Sequence, residues 1–403
     1  MRNKTKIASN ILLFSTIVMC VSCGPKQEKI EKIMEDGVDV IVNHLESYKI
    51  EGEPSALHLE EEFIIDLERD DFAEIGITDI GGFDVDSEGN IYIRCFGSSE
   101  NFIFKFDANG NFAASYGRKG QGPGELQNAI YLRINERDEI LVSDMAQKKL
   151  VVMNNQGDFV NETHIGPNHF MATLLDNNNL LVMKSIFKLD EGIVEMPIVI
   201  CNSDLEDIKM LHQGQKAPNL SRAKEADVFN TSVNTNAWSI SKGQIYIGNK
   251  ENGYEFLIFD FNGGLKRKIR KEYSSVKISR QIKQKLRDLA LERLGTKTSE
   301  KLYFPDNMPP FQFFFTDDEG RLYVMTWEKG EGPRDFIFDI FNSDGLFIGR
   351  ISLSNGGNPY PNNVLRAIGG NPYDVRVKNN RLYYMRGKES GYQELVVNKM
   401  TWE

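Results

Sequence analysis

The amino-acid sequence predicts an all-β protein, a six-bladed β-propeller with four-stranded antiparallel blades, and three observations carry that expectation. One pattern recurs in residues 83–93, 134–142, 174–182, 240–247, 315–324 and 377–384: a hydrophobic strand enters a polar Asp/Asn/Glu/Gly turn, and a second strand rich in Ile, Leu, Tyr and Val leaves it. A further turn motif follows most copies, as in Phe106-Asp107-Ala108-Asn109-Gly110 and Phe341-Asn342-Ser343-Asp344-Gly345, so each unit has four strands. Asp, Asn and Gly tolerate the positive φ of tight hairpins, which makes these turns with a mechanism. The last unit then runs out of chain at Glu403 before its fourth strand, while an unassigned strand, Phe63 to Glu68, precedes the first unit. Borrowing that strand closes a ring through blade six and removes an aggregation-prone sheet edge.

Taken in chain order, residues 1–22 read as an export signal. Arg2, Lys4 and Lys6 precede an apolar stretch, residues 7–21, that is too short to span a membrane. Met19-Cys20-Val21-Ser22-Cys23-Gly24 resembles a bacterial lipoprotein processing site in which Cys23 becomes the lipidated N-terminus, although Cys20 stands where Leu is usual. A plain cleaved signal peptide is the alternative. Residues 23–60 are charge-rich and read as a spacer between lipid and propeller, with room for one docked strand; residues 61–403 form the propeller. Ile278, Ile282, Leu286, Leu289 and Ala290 fall at helical spacing, so residues 274–294 predict a helix inside an insertion of about 274–303 before blade five. That helix is expected to cover one side or rim of blades four and five.

Composition narrows the class of function. The net charge is −10, which argues against a nucleic-acid surface. Beyond the signal only Cys95 and Cys201 remain, too few for a secreted disulfide framework, and both are expected to be buried free thiols. His44, His58, His164, His169 and His212 are scattered without metal-ligand spacing, and no G-x-S-x-G nucleophile elbow occurs. Asp84, Asp86, Asp317 and Asp318 are read as turn carboxylates, and no catalytic constellation or metal site emerges.

Binding candidates come from the loops between second and third strands and from the crossings between blades, which share one face of such a ring. Arg94, Asp144, Lys184, Trp327, Arg334 and Arg386 lie there. Trp327 offers an apolar platform for sugar or peptide, and the arginines suit carboxylate or phosphate. In the crossing Gly117-Arg118-Lys119-Gly120-Gln121-Gly122-Pro123-Gly124-Glu125-Leu126, glycines expose successive N–H groups beside Arg118 and Lys119. That arrangement reads either as an anion nest or as a rigid connection.

With repeats and ends in place, the chain resembles the six-bladed β-propeller lipoproteins of Bacteroidetes, relatives of the NHL-repeat group. The resemblance rests on Cys23, on residues 80–92, on Gly120-Gln121-Gly122-Pro123-Gly124-Glu125 and on the inserted helix; blade three departs from the NHL pattern because no Gly follows Asn202-Ser203-Asp204. It implies a lipid-anchored propeller of the cell envelope, on the periplasmic or outer side of the outer membrane, with no catalytic motif to carry over. The expected function is a membrane-tethered binding or scaffold module, a monomeric domain whose rim takes a glycan, peptide or envelope protein. A propeller-type hydrolase or lyase with a channel-bound divalent cation, calcium for instance, is the alternative, resting on fold analogy alone.

Overall fold

The computed structural model describes residues 30–403 apart from 51–52, 55, 78–79, 97–99, 167, 189, 191–192, 219–228, 231–237, 295–301, 333–334, 355–374 and 389. The export signal, Cys23 and Arg334 therefore lie outside the described residues.

Six antiparallel sheets form the predicted blades. Blade one comprises Ile80–Val85, Ile91–Cys95, Asn101–Phe106 and Phe112–Arg118; blade two comprises Ala129–Ile134, Ile140–Asp144, Lys149–Met153 and Phe159–His164. Blade three comprises His169–Leu174, Leu180–Lys184, Ile193–Cys201 and Asp207–Pro218, and blade four Trp238–Ser241, Gln244–Gly248, Glu255–Asp260 and Leu265–Lys271. Blade five comprises Phe313–Thr316, Leu322–Lys329, Asp335–Phe341 and Phe347–Ser354. Blade six comprises Val375–Lys378, Arg381–Gly387, Gln393–Trp402 and, as its outer strand, Leu57–Asp66. The ring is thus closed by pairing the two ends of the chain, from Glu394↔Asp66 to Trp402↔Leu57.

Apolar residues alternate along these strands, and the faces they create meet between blades. Phe83, Ile91, Ile93 and Phe104 of blade one pack with Tyr383, Leu395 and Val397 of blade six and with Ile65 of the closing strand. Equivalent clusters fill the junctions between blades one and two, two and three, three and four, four and five, and five and six. Burying such side chains stabilises by about 1.5–3 kcal/mol each, so the blades hold one another rather than standing alone. Cys95 and Cys201 form no disulfide and are buried within these clusters, as expected. Burial, followed by a hydrogen bond to Asp207, pushes the Cys201 thiol up to about 12.

The repeated polar turns owe their shape to their first residue. In Asp86, Asp107, Asn135, Asn154, Asn202, Asp260, Asp317 and Asn342, one side-chain oxygen accepts the backbone N–H groups two and four positions later. The fourth position of each turn takes a positive φ. Glycine fills it in six of these turns, Asp138 in another, and Leu205 (φ 63°) in blade three, the departure from the pattern noted above. Left-handed backbone costs an L-residue about 1–2 kcal/mol, and Leu205 offsets this by packing against the core between blades two and three. Tyr92 and Tyr323 tie their turns to the second strands by donating to Asp86 and Asp317, each at 3.1 Å.

All of these turns lie on one face of the ring, and neighbouring turns are linked around it. Ser87 N donates to Asp138 (2.8 Å), Arg137 to Asn178 (3.4 Å), Asn177 to the Phe261 carbonyl (3.0 Å), and Lys242 pairs with Glu319 (3.2 Å). Asn379 completes the circuit, donating from its backbone to Asp318 (2.9 Å) and from its side chain to the Ser87 carbonyl (2.8 Å). Every junction between blades carries a polar link at this face.

The segment read as a spacer contributes to the fold. Glu31–Glu35 and Val38–Asn43 form a hairpin whose second strand runs parallel to Leu265–Lys271, extending blade four. Glu35 lies against Arg270 and Lys268, whose hydrogen bonds bring its carboxyl down to about 2. Asn43 is fully buried, donates to the Arg270 and Gly345 carbonyls and accepts from Phe347 N. The inserted helix spans Arg280–Leu294, six residues later than the periodicity places its start, with the Ser279 hydroxyl accepting the Ile282 N–H. Among the described residues no helix is long and apolar enough to cross a membrane.

Candidate functional site

The inner strands leave a cavity of about 310 Å³ at the end of the channel that carries the repeated turns. Each blade contributes: Asp84 from one, Tyr131 and Arg133 from two, Thr173 from three, Trp238 and Ser239 from four, Phe315 from five and Arg376 from six. The period-two geometry of a strand puts Tyr131 and Arg133 on the same face. It also sets Asp84 opposite its neighbours Phe83 and Val85, which lie in the core.

Asp84 is the electrostatic centre of the cavity. It is 4 % exposed, and its oxygens accept Arg376 Nε (2.8 Å), Ile134 N (2.9 Å) and its neighbour Val85 N (3.0 Å), with Arg133 Nε at 3.6 Å. Burial pushes this carboxyl up, but Arg133, Arg376 and the Ile134 amide outweigh it and hold Asp84 below the ordinary carboxylate range. Asp84 is therefore not a turn residue like Asp86 and Asp317. It is a buried anion shared by two guanidinium groups. Burial raises the Tyr131 phenol, which keeps it a neutral donor.

The rim carries charges of both signs, with Lys242 and Lys378 beside Glu136, Asp176 and Asp318. Glu136 and Asp176, in the turns of blades two and three, bring their carboxyl groups into contact there. Desolvation, then that contact, raises Glu136 above its ordinary value, while the Gly243 N–H and Lys378 pull the other way. A raised carboxyl favours folding below its unfolded pKa and loses that contribution as pH rises through the folded value. Glu136→Gln should accordingly raise the melting temperature slightly at pH 7 and make no difference at pH 4. An unchanged melting temperature at both pH values would show that the Glu136 carboxyl is not raised in the folded protein.

The residues singled out in the sequence occupy the opposite face of the ring, and those described, the Lys119 ammonium apart, have side-chain partners of their own. Arg94 is buried, donating to the Ala129 carbonyl (2.8 Å) and to the Gly81 carbonyl beneath the Phe96 ring. Asp144 is also buried and accepts the amides of Gln127, Asn128 and Gln147. Lys184 pairs with Asp207, and Arg386 with Glu394 at 2.5 Å. Lys119 donates its backbone N–H to the Glu100 carbonyl.

The glycine-rich crossing does form a nest of amides, and the protein's own carboxylates occupy it. Gly122 N donates to Glu125 (2.9 Å) and Gly124 N to Glu162 (3.2 Å), while Arg118 pairs with Glu125 and Lys149 with Glu162. The Glu125 carboxylate sits where a Cβ on Gly120 would project, which accounts for glycine there. This geometry supports the rigid-connection reading.

Trp327 lines a second cavity of about 200 Å³ on that face, between blades four and five, together with Tyr254, Tyr273, Lys271, Asp339 and Arg350. Its indole donates to the Pro309 carbonyl (2.7 Å). Tyr254 (2.8 Å), Arg350 (3.0 Å) and Lys271 (3.5 Å) converge on Asp339, so the polar groups of this cavity are matched to one another. Among the described residues no three His, Cys, Asp or Glu side chains are grouped as metal ligands.

Residues 36–220 match a family model described as a 6-bladed beta-propeller. No curated protein matches the chain. The chain is similar to the crystal structure of a protein described as exported from Bacteroides fragilis, at 11 % identity and a TM-score of 0.51 over 90 % of this chain and 99 % of that one, which shows the fold. A member of the DUF4221 family from Bacteroides vulgatus aligns at 12 % identity and a TM-score of 0.44, covering 87 % of this chain and 100 % of that one. Virginiamycin B lyase from Staphylococcus aureus aligns at 9 % and 0.35, covering 86 % and 99 %.

Proposed function

We propose that this protein is a binding module of the cell envelope, tethered through Cys23, that takes a ligand at the turn-side mouth of its central channel. The observation that carries the reading is the cavity of about 310 Å³ into which all six blades project, with buried charge at its centre and aromatic side chains in its wall. Ligand sites of this kind are concave, largely preformed and furnished with a few placed polar groups. The polar links between neighbouring turns pre-organise the mouth, which lowers the entropic cost of binding. A glycan fragment or a peptide segment fits the combination of apolar wall and mixed charge. The wide turn-side rim is the surface against which a larger partner would rest.

A thermal-shift screen of the full mature chain against soluble oligosaccharides and peptides tests this. Hits should disappear in Ser239→Trp, which fills the mouth, and persist in Trp327→Ala on the other face. Hits with the opposite dependence, or turnover of a hit by the purified chain, would contradict the proposal. Cys23→Ser should move the protein from the membrane to the soluble fraction, and continued membrane association would remove the tether from the account.

A further inference from the structure

Resting on the binding reading above, we infer that the channel mouth recognises a carboxylate, with Arg133 as the group that meets it. Arg133 lies within an ion pair that does not satisfy it. Its Nε stands 3.6 Å from Asp84 Oδ2, beyond a hydrogen bond, and that oxygen already accepts Ile134 N at 2.9 Å. The other Asp84 oxygen is engaged by Arg376 at 2.8 Å and by Val85 N at 3.0 Å. Among the described residues the Arg133 guanidinium makes no hydrogen bond, yet the side chain is only 24 % exposed and lines the cavity. A guanidinium carries five donors in a planar fork, and leaving them unmatched in a partly desolvated site is costly. A ligand carboxylate meets two of them side by side.

Charge favours an anion. Two guanidinium groups against one carboxylate leave a single positive charge inside the mouth. Outside it, Glu136, Asp176 and Asp318 share the rim with Lys242 and Lys378. That residual charge attracts an anion, and the planar fork of the Arg133 guanidinium matches the planar geometry of a carboxylate. Tyr131, two residues before Arg133 on the same strand face, adds a neutral donor, and Trp238 adds an apolar wall. A cavity of about 310 Å³ holds one sugar ring or the last residues of a peptide. The chemistry is a carboxylate on a small polar body, from a uronic acid or from a peptide C-terminus.

Isothermal titration calorimetry on the full mature chain distinguishes these sources with two matched pairs of probes, galacturonate against galactose and N-acetyl-dialanine against its amide. At least one acid should bind about tenfold or more tighter than its neutral partner, the factor that a charge-assisted hydrogen bond supplies. The preferred pair identifies glycan or peptide as the source. Arg133→Gln should lower that affinity by at least tenfold, and Arg133→Lys, which keeps the charge without the fork, should fall between. Equal binding of acid and neutral partner, abolished by Ser239→Trp, would overturn the carboxylate inference and leave the binding site in place. Absence of binding by all four probes would also overturn it. Acid binding that survives both Arg133→Gln and Ser239→Trp would overturn this inference and the channel-mouth reading together.

Discussion

A chain that begins at residue 67, without the strand Leu57–Asp66, is expected to lose its cooperative unfolding transition and to appear as oligomer or aggregate in size-exclusion chromatography. The lost strand supplies the ladder from Glu394↔Asp66 to Trp402↔Leu57. It also supplies Ile65, buried against Leu395 and Val397, and Phe63, packed at the same junction of blades six and one. Each large side chain contributes about 1.5–3 kcal/mol and each ladder hydrogen bond about 1 kcal/mol. Their sum rivals the entire stability of an ordinary domain, about 5–15 kcal/mol. The exposed edge of Gln393–Trp402 then offers itself to another chain. A chain beginning at residue 53 is the control, since it lacks the blade-four hairpin but keeps the closing strand, and it should fold with a lowered melting temperature. A monomeric, cooperatively melting chain from residue 67 would show that ring closure is dispensable.

Asp84→Ala should destabilise the protein by about 3 kcal/mol at pH 7, the lower end of the effect of breaking a buried ion pair, because Arg133 retains some contact with water. The substitution leaves Arg376, whose side chain is 13 % exposed, without its carboxylate partner and removes the acceptor of Ile134 N. The Asp84 carboxyl is held below its ordinary value, so its contribution is present above the unfolded pKa of about 4 and is lost as pH falls through the lower folded value. Chemical denaturation should accordingly show a wide gap between wild type and variant at pH 6 that narrows progressively below about pH 4. Replacing Arg376 as well, by Met, should recover part of the loss. A gap that stays constant across this range would show that the charge on Asp84 does not matter.

These expectations separate what one sequence makes legible from what it hides. The turns were readable because each is local: Asp86 or Asn342 reaches amides only two and four residues ahead, and a positive-φ residue stands between them. Ring closure was readable because one unit lacks a strand and one strand lacks a unit. The mouth of the channel was not, because Asp84 meets Arg376 across a separation of 292 residues and Ile134 across 50. Its one local signal was an acid at an inward position of an apolar strand, between Phe83 and Val85. The opposite face drew attention because its loops are rich in arginine, glycine and tryptophan. Those residues answer one another instead, as Arg118 and Gly122 do with Glu125. The N-terminal charges likewise read as solvated spacer because the partners of Glu35, Lys268 and Arg270, lie more than 230 residues away.

The central claim is that ligand enters the ring from the turn side. Soaking crystals of the mature chain with the probe that binds most tightly in calorimetry tests it directly. The predicted result is difference density at the mouth, touching the Arg133 guanidinium and lying against Tyr131 and Trp238. Density instead beside Trp327, Arg94 or Arg386 on the opposite face would contradict it.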